Sequence, residues 1–101
     1  MERMNIAHDI TFKADHPGVL SIQKNKDIIQ FAVALYKGQL LPRHLTHHPA
    51  MLIVLKGSVM FKTQHAVHAL AMFDVFPIPV NVEHEVEGVD AENIFLVTKC
   101  L

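Results

Sequence analysis

The chain has 101 residues, half of them hydrophobic, which is enough for one modest core and too little for two. Nine Lys and Arg against ten Asp and Glu leave a formal net charge of −1, and there is one Tyr and no Trp. This excludes the basic, aromatic-studded surface that nucleic-acid binding needs.

No apolar run reaches the roughly 18–20 residues of a membrane helix, and the start MERMNIAHD is charged where a secretory leader would be apolar. The expectation is a cytoplasmic protein that contacts no membrane. Its single cysteine, Cys100, rules out an internal disulfide framework and fits the same reducing compartment. Hydrophobicity this high in so short a chain points to a large apolar patch, and hence to a homodimer. In that arrangement the residues before Pro17 are expected as a strand or arm lying along the partner's sheet edge.

Period-2 patterns then dominate in chain order. PGVLSIQ, entered through a Pro17–Gly18 turn, reads as a strand. In DIIQFAVALYKG one parity carries Ile29, Phe31, Val33 and Leu35, and the other carries Gln30, Ala32 and Ala34. AMLIVLKGSVMFKTQ reads as two strands bent at Gly57, HAVHALAMF as the next, and IPVNVEHEVEG and ENIFLVTKC close the series. HAVHALAM is the best helical candidate but is too short to stand alone. Many short strands punctuated by Gly and Pro predict an all-β barrel or sandwich.

Eight histidines are the compositional oddity. In VNVEHEVEGV, Val80, Val82, His84 and Val86 alternate with Asn81, Glu83, Glu85 and Glu87, so His84 is expected on the inner face and the glutamates in solvent. A buried imidazole needs a hydrogen-bond partner or a metal. In PRHLTHHPAMLIVLKG, an extended run over residues 44–48 would aim His44, Thr46 and His48 one way and His47 the other. Three convergent imidazoles would suit a divalent Fe, Zn, Ni, Cu or Mn ion. His8, His16, His65 and His68 read as exposed. Phe31, Val33, Leu35, Leu52, Val54, Val82 and Phe95 are the candidate interior lining.

GQLLPRHLTHHPAMLIVLKG resembles the first motif of the cupin superfamily, G-x5-H-x-H followed by three or four residues, E, six residues and G. Gly38, His44 and Gly57 fall in place. FDVFPIPVNVEHEVEG resembles the second motif through Asp74, Pro79 and His84, with Asn81 in a glycine position that Asn tolerates. Phe73 stands where that motif has another glycine. The resemblance spans about residues 27–97 of a single domain, 1–101, with residues 1–16 outside it. It implies a small jelly-roll barrel (the double-stranded β-helix of the single-domain cupin 2 type), usually dimeric, with a metal at its centre.

At strict spacing Thr46 takes the second histidine position and Ala50 the glutamate position. His48 restores the histidine if the turn shortens by two residues; His47 does so only through a bulge. The resemblance thus implies a divalent transition metal (Fe, Zn, Ni or Mn) on His44, His48 and His84, with His47 as the alternative to His48. Such a metal keeps its full charge and favours a small anionic ligand. Dioxygenation of thiols or diketones enters by analogy only. The alternative is a non-catalytic small-molecule binding or sensing barrel that has lost the glutamate ligand.

Overall fold

The computed structural model describes residues 2–101. A short helix, α1 (Ile6–Asp9), precedes nine strands: β1 (Gly18–Lys24), β2 (Ile28–Tyr36), β3 (Leu40–His44), β4 (Ala50–Lys56), β5 (Ser58–Thr63), β6 (Val67–Ala71), β7 (Val75–Ile78), β8 (His84–Gly88) and β9 (Glu92–Cys100). They form two sheets, ordered β1-β2-β9-β4-β7 and β3-β8-β5-β6, with every pairing antiparallel. The expected all-β, double-stranded β-helix architecture is the one observed. No helix of the described residues is long and apolar enough to cross a membrane.

Strand parity sorts the side chains between two apolar layers. Val33 and Leu35 of β2, Leu52 and Val54 of β4, and Phe95 and Val97 of β9 meet Val59, Phe61 and Val86 of the second sheet to form the core between the sheets. The opposite parity is also apolar. Ala32, Ala34 and Ile94 form a second layer on the outer face of the first sheet, and Ile6, Ile10 and Phe12 pack over it. Residues 2–17 therefore contain no strand. Of the strand or arm expected before Pro17, they form an arm, and it lies on its own chain's sheet. Part of the excess hydrophobicity is hidden in this way. At the point of crossing, a Cβ on Gly18 would come within 1.8 Å of the Thr11 carbonyl oxygen, so only glycine lets the arm's backbone approach.

One buried polar side chain ties the end of the barrel together. Asn93, fully buried, accepts hydrogen bonds at Oδ1 from the N–H groups of Ser58 and Asp90, and donates through Nδ2 to the carbonyls of Leu35 and Asp90. It thereby joins the β4–β5 turn, the β8–β9 turn and the end of β2. Gly57 makes room for it: its φ is +69°, and a Cβ there would sit 2.4 Å from Asn93 Oδ1.

The second-motif region departs from the continuous strand expected over residues 78–88. Strand β8 begins only at His84, and Val80 and Val82 lie in the preceding turn with 42% and 38% of their surface exposed. Val82 is accordingly not part of the interior lining. The cause is backbone conformation: Asn81 adopts φ +63°, which breaks the pleat after Pro79. Phe73 likewise adopts a left-handed φ of +72° at the β6–β7 turn. The turn geometry expected of glycine is therefore kept, with phenylalanine in the glycine's place.

Candidate metal and ligand site

His44 ends β3 and His84 begins β8, and the two are direct partners in the ladder between those strands. Their rings meet edge to face with centroids 4.4 Å apart. Phe61 stacks on the other side of His84 at 4.6 Å, so the imidazole is held between an aromatic floor and a second imidazole. His84 is buried, and His44 is partly so.

Each ring has a defined polarity. Nδ1 of His44 lies 2.7 Å from the Pro42 carbonyl, and Nδ1 of His84 lies 3.1 Å from the Val82 carbonyl. A carbonyl can only accept, so each Nδ1 carries the proton and each neutral ring keeps its lone pair on Nε2. A backbone carbonyl on the far nitrogen is the arrangement that orients imidazoles toward metals. Burial holds the pKa of His84 below its ordinary value. The Val82 carbonyl opposes this, and the nearby Lys99 ammonium reinforces it. The neutral, ligating form of His84 is thus favoured.

The other two candidates lie elsewhere. The strand ends at His44, and the inward residue two positions later is Thr46, which is buried, while His47 and His48 are exposed. The Thr46 hydroxyl accepts from the His48 N–H and donates to the His48 carbonyl, both at 3.2 Å. This local loop turns the chain, so the extended run needed to aim His48 inward does not form. His47 instead donates from Nδ1 to Asn81 Oδ1 at 2.6 Å. The structure thus brings His44 and His84 together and leaves His48 and His47 outside. Among the described residues no group of three His, Cys, Asp or Glu side chains could hold a metal ion.

The two imidazoles and Thr46 line a pocket with Phe31, Phe61 and Lys99, among other residues, and no carboxylate belongs to the lining. Its enclosed space is about 10 Å³, room for about one water. The barrel interior is therefore filled by side chains, and any larger guest must stand in the mouth. Sequence reasoning missed Lys99. The signal was available, because Lys99 shares the parity of Phe95 and Val97 on β9. Two neutral imidazoles are one ligand short of the three protein ligands usual at a divalent metal site, so a metal held here would need its remaining ligands from water or an added group.

No protein-family model matches the sequence, and no curated protein matches it. Solved structures do match. An RmlC-like cupin protein from Desulfovibrio desulfuricans is 21% identical, with a TM-score of 0.87 over 99% of this chain and 96% of that one. A cupin superfamily protein from Desulfitobacterium hafniense is 14% identical, with a TM-score of 0.88 over 100% of this chain and 93% of that one. An uncharacterized conserved protein with a double-stranded β-helix domain from Klebsiella pneumoniae is also 14% identical, at 0.88 over 99% and 90%. Identities this low speak for the fold alone.

Proposed function

We propose that this chain, which has the cupin fold, is a small barrel that binds one divalent transition metal (Fe, Zn, Ni or Mn) through His44 and His84 and receives a small anionic ligand at the same mouth. The observation that supports the reading is the pair of facing imidazoles, each with Nδ1 on a backbone carbonyl and Nε2 left to coordinate. A bound metal would supply Lewis acidity and a positive centre for the anion. His44 and His84 would hold it, Phe61 fixes the ring plane of His84, and Thr46 keeps the adjoining loop closed. With no carboxylate in the lining to move a proton, binding is favoured over catalysis, and dioxygenase-like chemistry remains an analogy. Exposed Met51 and Val75 on the outer side of β4 and β7 support association with a second copy of the chain.

Metal analysis of tag-free protein, followed by titration with Zn(II) and Mn(II), tests the reading. One equivalent should bind, His44→Ala and His84→Ala should each abolish it, and His47→Ala and His48→Ala should leave it unchanged. Wild-type protein that neither contains nor takes up metal overturns it. A second reading, a metal-independent small-molecule binding barrel, is favoured by the commitment of the Thr46 hydroxyl to the His48 backbone, which leaves only two side-chain donors. Metal-free protein purified with a small molecule in its mouth would establish it. A clean monomer in sedimentation at micromolar concentration would overturn the homodimer.

A further inference from the structure

Lys99 is the one lysine or arginine in the lining of the histidine pocket among the described residues. It follows Phe95 and Val97 on the inward parity of β9, and its partners across the two ladders are Ala50 of β4 and Ile29 of β2. Neither can neutralise it. Its ammonium lies 5.8 Å from the centre of the Phe31 ring, a contact that attracts a cation without neutralising it. The ion pairs among the described residues engage Lys56, Lys62 and Arg43, but not Lys99. With no acidic side chain beside it, the ammonium can take an external anion as its partner. Ala50, the residue directly opposite, offers a methyl group and no counter-charge.

We infer that the ligand of this pocket is a small monocarboxylate, its headgroup paired with the Lys99 ammonium at the mouth that His44 and His84 also line. The inference deepens the proposed function and rests on its assignment of the histidine mouth as the ligand site. Size selects the class. The room beside Lys99 is about that of one water, so the headgroup that reaches it from the mouth must be small, and a flat carboxylate passes between close walls more readily than a bulkier tetrahedral phosphate. Charge selects it too, since a single anionic group matches a single ammonium. If a metal were held by the two imidazoles, such a carboxylate could also serve it as an oxygen donor.

The test is titration with acetate, and with inorganic phosphate as the size control, followed by NMR of the His84 imidazole and the Lys99 side chain. It is run on the chelator-treated protein and on the Zn(II)-treated protein. Saturable shifts with acetate and none with phosphate are expected. Lys99→Met should weaken acetate binding at least tenfold, Lys99→Arg should retain it, and Ala50→Glu, which provides an internal counter-ion, should abolish it. Absence of saturable shifts in the wild type, or binding undiminished in a folded Lys99→Met variant, overturns the inference. Zinc uptake without acetate binding overturns it and leaves the metal reading intact. Acetate binding that depends on Lys99 in a protein that takes up no zinc supports it while overturning the metal reading.

Discussion

His44 stands directly across the β3–β8 ladder from His84, and the two rings touch edge to face at 4.4 Å. The contact couples protonation to folding. Burial, aided by the nearby Lys99 ammonium, holds the His84 pKa below the ordinary 6.5, so the unfolded chain takes up a proton before the folded one does. The resulting stabilisation is complete above about pH 6.5 and is lost as pH falls through the folded value. The urea midpoint of chelator-treated protein should fall between pH 7 and pH 5, and His84→Leu should flatten that dependence. Identical slopes in the two proteins would refute the assignment.

Asn93 makes the polar knot of the barrel. Asn93→Ala leaves the buried Leu35 carbonyl and the part-buried N–H groups of Ser58 and Asp90 without this partner. A loss of about 3 kcal/mol or more is expected, since each unsatisfied group costs about 1–3 kcal/mol. Equilibrium unfolding measures it, and a loss below about 1 kcal/mol would mean that water replaces the side chain readily.

Phe73 carries a left-handed backbone with 74% of its surface exposed. Such a conformation costs a non-glycine residue roughly 1–2 kcal/mol, against roughly 0.5–1 kcal/mol for the greater freedom of glycine in the unfolded chain. Phe73→Gly should therefore stabilise by roughly 0.5–1 kcal/mol, and Phe73→Val, β-branched at the same φ, should destabilise. Thermal denaturation of the pair checks the sign of each change.

The arm contributes to stability through Ile10, which is 8% exposed against Ala32, Ala34 and Ile94. Ile10→Ala should cost about 2 kcal/mol. Gly18→Ala should act on the same contact by expelling the Thr11 carbonyl, making the arm sensitive to limited proteolysis. An arm equally resistant in Gly18→Ala would show that the crossing is looser than the 1.8 Å approach implies.

Strand positions were legible because parity marks burial. Phe31, Val33 and Leu35 face the core, as their spacing implies, and His84 lies inside as its valine neighbours suggest. The same rule misled where the chain leaves the pleat while keeping its alternation. Val80 and Val82 continue the period of β8 through a turn made by Asn81, and no hydrophobic pattern registers one residue at positive φ. His48 was misplaced for a related reason: parity assumes an extended backbone, and the Thr46 hydroxyl loops the chain back upon itself. That the arm packs on its own chain's sheet went unread, because Ile6, Ile10 and Phe12 are too few to show a period. Their role exists only against a sheet formed by distant residues.

The Asn81 N–H donates to the Thr46 carbonyl at 2.8 Å, and its side chain receives the His47 ring. The loops following His44 and preceding His84 are thereby stitched to each other. Any guest that pries apart one side of this doorway must drag the other with it. Displacing one wall of the mouth without the other would break both hydrogen bonds.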